Sequence, residues 1–169
     1  LLSQPAFDPW RDLPFAFGGP AGQGHIRAAP TDFIVVEELS FALKGEGEHL
    51  FLRVRETGCN TAWVAGQIAR WAGRPRHDVG YAGLKDRHAV TEQWFSVLCP
   101  GGRHPDPDTL AIEGVELMEW QPHDRKLKRG ALRGNTFRLR VTGLEADAAA
   151  LEQRLQAVAL RGVPNGFGP

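Results

Sequence analysis

The chain has 169 residues, twenty basic and twenty acidic side chains, a formal net charge of zero and 42% hydrophobic residues, among them five Trp and nine Phe. That is enough apolar material for one domain-sized core, and the balanced charge argues against bulk electrostatic capture of nucleic acid. There is no apolar run of membrane-spanning length, Leu1-Leu2-Ser3-Gln4-Pro5 lacks a signal-peptide pattern, and Cys59 and Cys99 lack CxxC spacing; the expectation is a cytoplasmic globular protein with reduced, structural cysteines and no metal site.

Residues 1–24 are rich in Pro, Gly and Phe and read as an extended arm, with Phe7, Trp10, Phe15 and Phe17 pinning it to the body or meeting a partner. The folded portion is expected over residues 25–169. Within it, Pro30 makes a turn, and Ile34-Val35-Val36, apolar on both faces, reads as an interior strand. Gly45-Glu46-Gly47-Glu48 is a second turn. His49 to Thr57 then alternates as a strand, expected to pair with the preceding one as a hairpin.

Asn60 has the chemistry of a helix N-cap, and Val64, Ile68 and Trp71 recur at helical spacing until Gly73 and Pro75 stop the helix. Trp63 and Trp71 are expected to serve the core. Val79 and Tyr81 form a short strand, and Gly80 and Gly83 are read as supplying turn freedom to the loop that follows. That loop, Leu84-Lys85-Asp86-Arg87-His88, crowds charged and titratable groups between two apolar runs. Asp86 stands out: between two cations it is suited to act as an anion, as nucleophile or as base. A solvated turn in which Asp86 bonds its own backbone is the commoner use of such a triplet.

Trp94 to Leu98 resumes a strand, residues 100–108 form a proline-rich loop, and Val115 to Trp120 reads as another strand. Arg125, Lys126, Lys128, Arg129, Arg133, Arg138 and Arg140 then follow within a short span, a candidate phosphate-facing patch or a solvated surface. Asn135 to Val141 alternates, with Phe137, Leu139 and Val141 on one face; Phe137 fits a core position or a stacking role, and Asn135 a turn or a site role. Leu151, Leu155 and Val158 give a second amphipathic helix ending near Gly162.

Gly83-Leu84-Lys85-Asp86-Arg87-His88-Ala89-Val90-Thr91-Glu92-Gln93 resembles the signature of the TruD family of tRNA pseudouridine synthases, with Asp86 at the place of its catalytic aspartate. Gly134-Asn135-Thr136-Phe137 is similar to a second motif of that family, and Arg27 occupies the position of a basic residue that reaches its active site. The resemblance implies isomerisation of uridine to pseudouridine in tRNA, at position 13, without cofactor or metal. It implies Asp86 as the catalytic carboxylate and Arg27, Lys85, Asn135 and Phe137 as substrate-binding. It also implies an α+β fold, a mainly antiparallel sheet with two packed helices.

The similarity runs from around Gly22 to Pro169, about the first half of a family member, with Gly166 where an aromatic residue is usual. Two other readings stay open: a catalytically incomplete RNA-binding fragment, and a glycosidase-like hydrolase pairing Asp86 with Glu92.

Overall fold

Strands dominate, as expected of a chain whose β-branched and aromatic residues recur at alternate positions. The computed structural model describes residues 15–163, so Phe7, Trp10 and Gly166 lie outside the described residues. In chain order the elements are β1 (Gly22–Ile26), β2 (Phe33–Leu39), β3 (His49–Thr57), α1 (Thr61–Trp71), β4 (Val79–Tyr81), β5 (Val90–Leu98), β6 (Val115–His123), β7 (Leu132–Leu139), β8 (Val141–Ala146) and α2 (Ala148–Arg161). The architecture is α+β.

The chain divides into two units, Ile26–Val141 and Leu1–His25 with Thr142–Pro169. In the smaller unit Gly22, within the span read as an arm, opens β1, which pairs with β8; α2 is capped by Asp147, whose carboxylate accepts from the Ala149 and Ala150 amides, and ends at Gly162. None of its residues is fully buried, and Leu155 of the expected apolar stripe is exposed.

The larger unit holds a six-stranded sheet in the order β6-β3-β5-β2-β7, with β4 also paired to β5. β2 is interior, as its two-sided apolar run requires, but its neighbours are β5, in parallel, and β7, antiparallel. The expected β2–β3 hairpin does not form, and β3 lies between β5 and β6 instead. The reason is in the connection: Phe41 and Leu43 pack with Phe51 and Trp94, and the Gly45 amide bonds the Pro122 carbonyl, so the chain crosses the sheet instead of doubling back.

One sheet face carries Leu50, Leu52 and Val54 of β3 with Phe95 and Val97 of β5, closed by Val64, Ala65, Ile68 and Ala69 of α1. Asn60 caps α1 by accepting from the Ala62 and Trp63 amides. Trp71 packs at the core margin, but Trp63 is 45% exposed, because residues 64, 65, 68 and 69 already fill the core-facing stripe. Gly80 also differs from expectation. It has no positive φ; instead, a Cβ there would run into the Leu127 carbonyl oxygen, so this glycine permits the basic loop to lie against β4.

Candidate active site

β2, β5 and β7 share a register in which Val35 lies opposite both Thr91 and Phe137, and Glu37 opposite Asn135. Because strand side chains alternate, Phe33, Val35, Glu37, Thr91, Gln93, Asn135 and Phe137 therefore share the face that α1 covers farther along the sheet. Over that face runs the loop between β4 and β5. Its anchor is Thr61 in the first turn of α1, whose hydroxyl accepts the Lys85 backbone N–H at 3.0 Å.

Asp86 is half-exposed on this loop. Its Oδ1 accepts the His88 amide at 2.9 Å, and its Oδ2 lies 3.1 Å from Arg27 Nη1. The Asp86 backbone bond expected of a simple turn is thus present together with an ion pair to a residue distant in sequence. One partner on each oxygen leaves lone pairs on both, so the carboxylate is held in place yet still able to act as base or nucleophile.

Arg27 has φ of +57°, the only left-handed non-glycine conformation among the described residues. Such a backbone costs about 1–3 kcal/mol and persists where the surroundings over-determine it. Here they do. The guanidinium bridges Asp86 and the Phe33 ring, 4.3 Å from the ring centroid, and Phe33 stacks in turn on Phe137 at 6.1 Å and 7°. Phe137 is 62% exposed, so it is a surface platform and not core.

Lys85 and Asn135 occupy a lower layer. Lys85 Nζ donates to Glu37 Oε2 at 2.5 Å and to Asn135 Oδ1 at 2.9 Å, with the Lys85 side chain only 5% and Glu37 0% exposed. Glu37 Oε1 accepts the Trp94 amide at 3.2 Å. Lys85 Nζ thus uses two of its three donors to join the loop, β2 and β7, and it lies below the surface that Phe137 and Asp86 reach. Since an ammonium only donates, its bond to Asn135 also fixes which end of that amide is oxygen.

The family pattern of tRNA pseudouridine synthase D (TruD) matches residues 14–169. The chain belongs to this family. It is 53% identical over 156 residues to tRNA pseudouridine synthase D of Aeromonas salmonicida, covering 92% of this chain and 44% of that protein. It is 53% identical over 165 residues to the Methylococcus capsulatus protein of the same name, covering 98% and 46%. The crystal structure of a TruD-family protein from Methanosarcina mazei superposes with a TM-score of 0.73 at 26% identity, over 86% of this chain and 34% of that one. The chain thus spans less than half the length of these relatives.

Four residues of this cluster were not singled out from the sequence: Phe33, Glu37, Glu56 and Thr61. Glu37 had a legible signal, an acid at a core-facing position of an apolar alternation. Glu56, on the same face in β3, is 2% exposed; its Oε1 accepts the Thr91 hydroxyl at 2.9 Å and its Oε2 has no partner among the described residues. Burial pushes its carboxyl up to about 7, partly offset by the Thr91 bond and the charge of Lys85.

Glu92, the second carboxylate of the hydrolase reading, points to the opposite face. Arg53 and Arg55 bond its oxygens at 2.7 and 2.9 Å; burial opposes ionisation, but these cations outweigh it and hold the carboxyl below its ordinary value. The basic segment is dispersed as well. Lys126 donates to the His77 carbonyl, Arg129 lies over Tyr81, Arg140 lies 3.7 Å from Asp32, and Arg138 projects away from the Phe137 face. Both free thiols of the described chain, Cys59 and Cys99, lie outside the site. No helix among the described residues is long and apolar enough to cross a membrane, and they contain no cluster suited to a metal.

Proposed function

We propose that this chain carries the catalytic aspartate of a cytoplasmic tRNA pseudouridine synthase acting on uridine 13, with Asp86 as the reacting carboxylate. The observation that carries the reading is the continuous assembly Asp86–Arg27–Phe33–Phe137: an anchored anion beside an open aromatic platform. In the reaction the N1–C1′ bond breaks, the uracil turns, C5 bonds C1′, and the C5 proton leaves to solvent while N1 gains one. A carboxylate serves it by attacking C1′, or by removing the C2′ proton to give an elimination intermediate that is later reprotonated.

The flanking groups have distinct roles. Phe137 stacks on the extruded base, which costs a few kcal/mol to unstack from RNA. Arg27 orients Asp86. Asn135, its oxygen held by Lys85, offers its N–H groups to a base carbonyl, and Lys85 supports the substrate through that amide. The exposure of the Phe137 platform favours a second reading: this part of the site binds RNA but admits water, and turnover needs further protein over that face.

Tritium release from tRNA labelled at uracil C5, with nucleoside analysis, separates these readings. Asp86-dependent release with pseudouridine as product is the expected result. RNA binding without release supports the second reading, release of free uracil supports hydrolysis, and equal release from Asp86→Ala removes Asp86 from the mechanism.

A further inference from the structure

A cavity of about 470 Å³ opens beside the Asp86 loop, lined by Thr57, Cys59, Trp63, Arg87, Glu113 and Gly114 among others. It is not the site described above; none of the residues assigned there lines it. The two are adjacent along the chain, however. Thr61, which holds the Lys85 amide, lies two residues before Trp63 in α1, and Arg87 directly follows Asp86.

Its walls have complementary chemistry. Trp63 sits off the core-facing stripe of α1, so its exposed indole is not explained by packing. An exposed indole beside a cavity is a stacking surface for a planar ring. Arg87 is exposed, and its Nε donates to the Gly58 carbonyl at 3.1 Å. That tether uses one donor and orients the guanidinium fork, leaving the terminal nitrogens for an anion. Glu113 also lines the cavity and adds an acidic residue to its wall. The volume lies within the roughly 300–1,000 Å³ of small-ligand sites.

We propose that this cavity is the subsite for a nucleotide neighbouring the target uridine on the same RNA strand, its base on Trp63 and its phosphate on Arg87. The inference rests on the RNA-modifying reading of Asp86, because it is that strand, with one nucleotide extruded at Asp86, that brings the next one here. Trp63 and Arg87 are positioning residues: they hold the strand and touch no reacting atom.

The test measures binding of fluorescein-labelled tRNA transcript by anisotropy across a salt series, alongside tritium release. Trp63→Ala is expected to weaken binding about tenfold and Trp63→Phe to restore it to within about threefold, since either ring stacks. Arg87→Ala is expected to reduce the slope of log affinity against log salt by about 0.7, the loss of one phosphate contact on a single strand. Circular dichroism melts confirm that the surface variants fold. Unchanged affinity in Trp63→Ala and an unchanged slope in Arg87→Ala overturn the subsite, even if Asp86-dependent pseudouridine is formed. Absence of wild-type binding overturns it as well. The expected losses with no pseudouridine from the wild type leave the subsite standing and defeat the synthase reading instead.

Discussion

Replacing Lys85 by Met separates two roles that its position next to Asp86 leaves entangled. Lys85 Nζ is buried between Glu37 and Asn135, so the neutral side chain leaves the Glu37 carboxylate without its cation and the Asn135 oxygen without its donor. Removing one partner of a buried pair costs about 3–5 kcal/mol, a large share of the 5–15 kcal/mol that typically holds a domain together. With a urea slope of about 2 kcal/mol per molar, the unfolding midpoint should fall by roughly 1.5–2.5 M. The Lys85→Met, Glu37→Leu double variant should recover much of that loss, because a matched apolar pair leaves no charge stranded. Equilibrium urea unfolding of both variants measures this. A Lys85→Met protein that unfolds within about 0.5 kcal/mol of the parent yet no longer binds tRNA would refute the reasoning and return Lys85 to the substrate.

Two further variants probe the site from either side. Burial raises the Glu56 carboxyl from an ordinary 4.5 to about 7, so its contribution to stability is full below 4.5 and is lost as pH rises to 7. Relative to Glu56→Gln, the parent should therefore lose on the order of 3 kcal/mol across that interval; parallel stability curves over pH 4–8 would contradict the assignment. Phe137→Ala should change stability by less than about 1 kcal/mol, because the ring is mostly exposed, while lowering RNA affinity or turnover about tenfold; a large stability loss in thermal melts would make Phe137 a core residue after all.

Much of this organisation is readable in the chain because it depends on local patterns. Asn60 and the apolar spacing that follows it specify α1, and the two-sided run Ile34-Val35-Val36 specifies an interior strand. Asp86 and Phe137 are legible through motifs. Strand partners are not, because alternation states that a strand has a buried face without naming its neighbour, and β3 could be read as the mate of β2 until the packing of Phe41 and Leu43 decided otherwise. Lys85 shows the same limit for side chains. A lysine beside an aspartate looks available to substrate, and only the register that sets Glu37 opposite Asn135 makes it a buried tie. Trp63 illustrates the converse, since an aromatic near helical spacing invites a core reading even when smaller neighbours fill the core.

The strand order also bears on the route by which the protein folds and opens. β3, α1, β4, β5 and β6 form an uninterrupted stretch of chain that contains the main apolar core, whereas β2 precedes it and β7 follows it. The β2–β5 pairing joins residues 56 positions apart, as in Val35 with Thr91, and the β2–β7 pairing residues about 100 apart, the kind of contact that forms slowly because a long loop must first close. Phe33, Glu37, Asn135 and Phe137 all ride on these two outlying strands. Native-state hydrogen exchange should find the β2–β7 amides opening at somewhat lower free energy than those shared by β3 and β5, with the Lys85 tie to Glu37 and Asn135 coupling that edge to the core. Mild denaturation would then loosen the site's aromatic platform first.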